Sequence, residues 1–195
     1  MPTALFLYYL LFFAAAFAWP TWRVWKRHGV NPLVLPRDDS AYGLIGAWFK
    51  VLMLALLAML GGLAFGVPER LIAPLDWLSL QPVKVGGWTI LTISMVWIVA
   101  AQLQMGRSWR IGIDRREQPP LVQGGLFRLS RNPIFLGMRA NLVGLFMVLP
   151  NAVTFAALLT GEVLMQVQVR LEEQHLSAAL GDAYKTYALR APRWA

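Results

Sequence analysis

The chain has 195 residues, of which 57% are hydrophobic and 14% are charged, and its formal net charge is +8. Soluble domains carry about 25% charged residues, so water is not the main solvent of this chain. Its basic residues stand in short blocks beside apolar runs, which favours a membrane protein over a nucleic-acid-binding protein. The sequence has no cysteine, which excludes disulfides and thiolate chemistry, and its 2 histidines alone do not supply a strong metal site.

Long apolar runs predict an all-α membrane protein with five transmembrane helices. Three runs, at 4–22, 43–65 and 88–103, approach the roughly 20 residues that cross a hydrocarbon core. A longer stretch, 133–169, is interrupted at 149–151, where proline and asparagine favour a turn, so we expect helices four and five to form a tight hairpin. The first run lacks a basic leader and a small-residue cleavage site, which favours a retained span over a signal peptide.

The distribution of Lys and Arg predicts how the chain is oriented in the membrane. Basic residues concentrate in the first loop, the third loop and the tail, whereas the opposite side has only Arg70 and Lys84. Because basic loops stay in the cytoplasm, we expect the N-terminus outside and the C-terminus and active site at the cytoplasmic face, in a bacterial-type inner membrane. The basic residues of that side are Arg23, Lys26, Arg27, Arg37, Arg107, Arg110, Arg115, Arg116, Arg128, Arg131, Arg170, Lys185, Arg190 and Arg193.

Three charged residues fall inside predicted spans, where charge is costly and calls for a partner or a function. Lys50 lies near the start of its span and can extend its ammonium to the cytoplasmic interface. Arg139 and Glu162 are equally far from the turn between helices four and five, so antiparallel helices would hold them at one depth as an ion pair. That pair either locks the two helices in register or forms the floor of a polar cofactor cavity.

Chemistry-bearing motifs concentrate in the second half of the chain. A helix start at Pro133 would leave free amides that, with Arg131, attract an anionic group. Taken singly, each motif also has a structural interpretation, because basic residues before a span are topology signals and paired carboxylates are often a solvated face. The motifs are Gly106-Arg107-Ser108-Trp109, Leu121-Val122-Gln123-Gly124-Gly125-Leu126-Phe127-Arg128, Arg131-Asn132-Pro133-Ile134-Phe135-Leu136-Gly137, Arg170-Leu171-Glu172-Glu173, Gly181 with Tyr184 and Tyr187, and Pro192-Arg193.

Together, in this order, these motifs resemble the isoprenylcysteine carboxyl methyltransferase and phospholipid methyltransferase superfamily, over about 106–194. The resemblance implies a small helical membrane enzyme that binds S-adenosylmethionine without a Rossmann sheet, between the loop before helix four and the tail. It implies a methyl acceptor that is membrane-associated or lipophilic, namely a carboxylate, a thiol or a phospholipid amine. It implies no metal and no nucleic acid.

The resemblance also assigns roles to individual residues. In the cofactor, the adenine would contact the loop 121–125, the methionine part would lie near Arg131, Asn132 and Phe135, and the ribose or amino group near the paired glutamates. The implied catalytic residues are Arg170, Glu173 and Asn132. The implied cofactor-binding residues are Leu121, Val122, Gln123, Gly125, Arg131, Asn132, Pro133, Phe135, Gly137, Glu172, Glu173, Tyr184 and Tyr187.

Two positions depart from the family pattern, with Asn132 in place of a histidine and Phe135 in place of a tyrosine. Asparagine keeps hydrogen bonding but does not titrate. If the family histidine only binds cofactor, function survives the change to Asn132. If that histidine removes a proton, this chain must use another base or an acceptor that is already deprotonated.

We therefore expect one integral membrane domain over 1–195, with a three-helix scaffold at 1–105 and a catalytic half at 106–195. The alternatives are a small membrane carrier or complex subunit without transferase activity, and a related reductase-like membrane fold. Binding of S-adenosylmethionine distinguishes the enzyme from the carrier, and a nicotinamide titration would expose the reductase.

Overall fold

A computed structural model describes residues 1–29, 39–109 and 120–195, and these residues form helices and no strand. Of the loop arginines used to predict the orientation, Arg37, Arg110, Arg115 and Arg116 lie outside the described residues. The α-helices are α1 (Pro2–Phe13), α2 (Trp19–His28), α3 (Ala41–Ala64), α4 (Gln81–Met105), α5 (Pro133–Val148), α6 (Ala152–Leu180) and α7 (Asp182–Arg190).

Four helical segments in the described part of the chain are long and apolar enough to cross a membrane. They are Pro2–Arg27, which joins α1 to α2, together with α3, α4 and α6. Helix α5 is apolar but has 16 residues, a length of about 24 Å at about 1.5 Å per residue, which is shorter than a usual span. The helical class is therefore confirmed, while the fifth span stays a prediction.

The first segment changes its helical pitch at one site. A π-helical stretch, Ala14–Ala18, separates α1 from α2 and is followed by Pro20, which has no N–H to donate to the carbonyl of Ala16. The Gln102 side chain of α4 donates to that carbonyl at 2.7 Å. A polar side chain in a predicted span thus satisfies the backbone group that the proline leaves open.

Helices α4 and α5 pack closely because glycines stand at their contact. A Cβ on Gly87 would lie 2.7 Å from Val148 Cγ2, and one on Gly144 would lie 3.0 Å from the Gly87 carbonyl oxygen. Gly137 is packed in the same way, since its Cβ would lie 2.5 Å from Ile98 Cγ1. Small residues let membrane helices approach closely, which explains this contact.

The break predicted at 149–151 falls between α5 and α6. Asn151 caps α6, and its side chain accepts hydrogen bonds from the amides of Val153 and Thr154 at 2.9 and 3.0 Å. The hydroxyl of Thr154 in turn accepts from the Asn151 amide at 3.2 Å. This capping box ends one helix and begins the next within a few residues.

The ion pair predicted between Arg139 and Glu162 forms, with Arg139 Nε 2.6 Å from Glu162 Oε2. The guanidinium of Arg139 also lies 4.5 Å from the ring centroid of Trp194, so the chain's end packs on this pair. Glu162 Oε1 accepts from Gln166 Nε2 at 2.8 Å, and Arg170 donates to Gln166 Oε1 at 2.6 Å. Glu162, Gln166 and Arg170 of α6 are therefore connected by hydrogen bonds.

Removing one charge of this pair should destabilise the protein more than removing both. Arg139→Met leaves Glu162 without its cation, at a cost of about 3 kcal/mol, and Glu162→Leu leaves the arginine unpaired. We expect Arg139→Met/Glu162→Leu to unfold at a higher temperature than either single variant, as measured by thermal unfolding in nanodiscs. Additive losses in the double variant would show that the two charges do not depend on each other.

Candidate active site

The most connected polar group at this site is the Glu173 carboxylate, which two arginines hold from opposite chain segments. Arg131, just before α5, donates to Glu173 Oε1 from Nε and Nη2, both at 3.1 Å. Arg193, near the C-terminus, donates to Glu173 Oε2 from Nε at 3.0 Å and from Nη2 at 2.7 Å. We call Arg131, Glu173 and Arg193 the clasp. Asn132 Nδ2 adds a fifth bond to Oε1 at 3.2 Å, so the carboxylate has little remaining capacity for a ligand.

Backbone hydrogen bonds extend the clasp into a continuous contact between the loop before α5 and the tail. Arg131 Nη1 donates to the carbonyls of Ala188 and Ala191 at 2.8 and 2.9 Å, and the Arg131 amide donates to the Pro192 carbonyl at 2.8 Å. The Ser130 hydroxyl donates to the Arg193 carbonyl at 3.0 Å. The two segments that the motifs predicted to meet are therefore in direct contact.

An apolar cluster supports the same contact. Tyr184 and Tyr187 of α7 are buried, and Leu121 packs against them. The Tyr187 hydroxyl donates to the Phe127 carbonyl at 2.7 Å, which ties α7 to the loop. Burial raises the pKa of Tyr184 and of Tyr187 to about 12, and the hydrogen bond to Glu173 raises the pKa of Arg193. The tyrosines are therefore neutral and the arginine is charged at physiological pH.

A large apolar cavity, which we call the chamber, lies between the helices beside the clasp. Its volume is about 1010 Å³, and α1, α2, α3, α5 and α6 contribute most of its lining. Most of that lining is aromatic or aliphatic, as in cavities that bury hydrophobic ligands. The polar or charged residues of the lining are Tyr9, Thr21, Tyr42, Lys50, Gln102, Asn141, Gln168 and Glu172.

The end of the chamber near the start of α5, which we call its mouth, is lined by Phe135, Trp109 and Glu172. Glu172 is next in sequence to the Glu173 of the clasp. The Tyr42 hydroxyl donates to the Leu171 carbonyl at 3.4 Å, which places the start of α3 at the same level. One helix thus presents adjacent carboxylates to two different surroundings, the clasp and the chamber.

Comparison with known families identifies the kind of protein to which this site belongs. Residues 83–183, more than half of the chain, match the family model described as phospholipid methyltransferase. The chain belongs to the phospholipid methyltransferase family. Comparisons with curated proteins and with solved structures find no match. The resemblance drawn from the motifs is confirmed, and the match covers α4 to the start of α7.

The family and the apolar helices together make this chain an integral membrane methyltransferase. Several residues that the resemblance implied do come together. Arg131, Asn132 and Glu173 meet at the clasp, whereas Phe135 and Glu172 line the chamber. Leu121, Tyr184 and Tyr187 share the apolar cluster.

Other residues that the resemblance assigned to the cofactor or to catalysis also have contacts within the protein, and their assignment stays a prediction. Gly137 packs against α4, and the Pro133 carbonyl accepts a hydrogen bond from Trp97 Nε1 at 2.9 Å. Gly125 has a φ of +59°, and a Cβ there would lie 2.4 Å from Gln104 Oε1, so the turn itself requires glycine. Arg170 is exposed and donates to Gln166, outside the clasp. Val122 is half-buried and Gln123 is exposed.

Sequence reasoning missed four residues that shape this site. Lys50 and Gln168 line the chamber, Ser130 bonds to the tail, and Gln102 has a buried Oε1 without a hydrogen-bond partner among the described residues. The only signal for Gln102 and Gln168 was an amide in an apolar helix, and such amides are usually satisfied by backbone or by helix contacts.

Proposed function

We propose that this protein transfers a methyl group from S-adenosylmethionine to a lipophilic acceptor at the mouth of the chamber. The single observation that carries the proposal is the position of Glu172, an acidic side chain at the polar mouth of an apolar cavity, beside the contact between loop and tail. A cationic methyl donor needs an acidic environment and a hydrophobic acceptor needs an apolar one. Methyl transfer between them requires both environments at one place.

The residues at the mouth fit a sulfonium cofactor. S-adenosylmethionine, when bound, supplies an electrophilic methyl group on a positively charged sulfur. Glu172 offers a carboxyl group that a bound cation would hold in its charged form, and Phe135 and Trp109 offer aromatic rings that attract cations. These groups are suited to hold a cation-bearing molecule.

The clasp has a different role in this proposal. Because Glu173 is saturated by Arg131, Asn132 and Arg193, we assign these residues to positioning the loop and the tail around the cofactor rather than to contact with the reacting atoms. Asn132 in place of the family histidine suits this role, since it needs only to donate a hydrogen bond. We assign contact with the cofactor to Glu172 and Phe135.

Direct methyl transfer needs alignment and exclusion of water more than acid–base chemistry. The apolar lining of the chamber excludes water from the acceptor's hydrocarbon chain and leaves its nucleophile at the polar mouth. A carboxylate, a thiol or a phospholipid amine satisfies this requirement. The arginine-rich loops support a cytoplasmic mouth, with α5 as a fifth span of a bacterial-type inner membrane protein.

Untargeted detection of methylated products tests this function. Membranes that contain the protein are supplied with S-adenosylmethionine carrying a radiolabelled methyl group, and the extracted lipids and proteins are separated. We expect label in at least one lipophilic product that membranes lacking the protein do not yield. Absence of any such product would contradict the enzyme, and absence of S-adenosylmethionine binding by the folded protein in calorimetry would in addition favour a carrier.

A further inference from the structure

Lys50 lines the chamber with an exposed side chain, and it lies outside the part of the chain that matches the family. It follows Ala41, the first residue of α3, by nine positions, which is about 14 Å along the helix axis at about 1.5 Å per residue. The bond between Tyr42 and Leu171 sets the level of the mouth, so the Lys50 backbone lies about 12 Å farther into the bundle. An ammonium group at that depth needs an anion or water.

The described residues do not provide that anion as an ion-pair partner. None of their ion pairs involves Lys50, and Glu172 is the only acidic residue among the described residues that line the chamber. The remaining lining is mostly apolar, with Phe49 and Met53 beside Lys50 on α3. An ammonium group that is exposed to this cavity and has no ion-pair partner among the described residues is available to an anionic ligand.

We propose that Lys50 binds the anionic group of the lipid acceptor and thereby selects amphiphiles with a negatively charged headgroup. This inference rests on the proposed function and adds to it the residue that recognises the acceptor. The flexible stem of Lys50 can extend along the chamber toward its mouth, where Glu172 lies. A headgroup held between these two side chains places its anion at Lys50 and its nucleophile near the cofactor, with the hydrocarbon chain against the apolar lining.

The anionic group that Lys50 binds could be either the phosphate of a phospholipid or the carboxylate of a lipid acid. Both are anions that an ammonium binds as a point charge, without the planar geometry that a guanidinium requires. The shared feature is one negative charge at the head of a hydrocarbon chain, so probes of equal chain length with different headgroups separate the two sources from a merely hydrophobic site.

The experiment measures binding without cofactor, so that it does not depend on methyl transfer. Radiolabelled hexadecyl phosphate, palmitate and hexadecanol are bound to the intact protein in detergent. The variants are Lys50→Met, which keeps the length and removes the charge, and Lys50→Arg, which keeps the charge. Lys84→Met, in the first turn of α4, removes a lysine that does not line the chamber and serves as the matched control.

We expect Lys50→Met to weaken at least one anionic probe tenfold or more, while hexadecanol binding is unchanged and Lys50→Arg and Lys84→Met bind within about twofold of the wild type. Whichever of hexadecyl phosphate and palmitate binds more strongly identifies the anionic group that the protein prefers. Equal binding of all three probes by the wild type, or unchanged anion binding in Lys50→Met, overturns the inference. If Lys50→Met misfolds, the wild type still provides a test. The inference is overturned if the wild type binds the anionic probes no more strongly than hexadecanol. Selective anion binding without methyl transfer would instead contradict the proposed function alone.

Discussion

Replacing Glu173 with alanine is expected to release the C-terminal segment and to lower the free energy of unfolding by about 3 kcal/mol. The substitution leaves Arg131 and Arg193 without the carboxylate that pairs them, with side chains 13% and 36% exposed. The loss should fall near the low end of the range for buried pairs, because water partly compensates the more exposed Arg193. Limited trypsin digestion with mass spectrometry should show faster cleavage after Arg190.

A matched control separates the clasp from ordinary surface charge in the same tail. Asp182 pairs with Lys185 at 3.0 Å, but both side chains are exposed, at 95% and 67%. We expect Asp182→Ala to change stability by less than about 0.5 kcal/mol and to leave the cleavage rate unchanged. Equal protection of the tail in Glu173→Ala and wild type would show that the clasp does not hold it.

Glu172→Gln should weaken binding of S-adenosylmethionine about 10- to 100-fold while the thermal unfolding temperature stays close to that of the wild type. The substitution keeps the shape of the side chain and removes its charge, and a hydrogen bond or contact with a charged group contributes about 1.5–3 kcal/mol, where about 1.4 kcal/mol is a factor of ten. Stability should be preserved because no bond of the clasp involves Glu172. Titration calorimetry in detergent measures the affinity.

The control for this prediction is Glu69→Gln, which removes a carboxylate from the short turn after α3, outside the chamber, and should bind the cofactor normally. Unchanged affinity in Glu172→Gln would remove the assignment of Glu172 to the cofactor. Loss of binding in Glu173→Gln with an unchanged unfolding temperature would return that role to Glu173.

Sequence reasoning did not distinguish the surroundings of Glu172 from those of Glu173. The family resemblance implied that the residues around Arg131 and the paired carboxylates belong to one site, and in the structure Arg131 and Arg193 both contact Glu173. Neighbours on a helix point about 100° apart, and only the position of the tail decides which one meets an arginine.

The roles of Gly137 and Lys50 were also hard to predict, because they too depend on which helices pack together. Gly137 in a motif has the same sequence signal whether it admits a ligand or a neighbouring helix, and here the neighbour is Ile98 of α4. Lys50 was placed in a span by its apolar neighbours, but whether its side chain faces lipid or an internal cavity depends on how α3 packs against α1 and α6. Helix packing, which is non-local, settles such questions.

The sequence by itself determined that this is a helical membrane protein, that the helix breaks at 149–151 and that Arg139 pairs with Glu162. These features follow from local hydrophobicity, from turn chemistry and from the rise per residue of a helix. Only the tertiary structure decided that Glu173 closes the clasp, that Glu172 faces the chamber and that Lys50 lies within it. Those outcomes depend on which helix faces meet across long separations in the chain, and neither composition nor spacing specifies that choice.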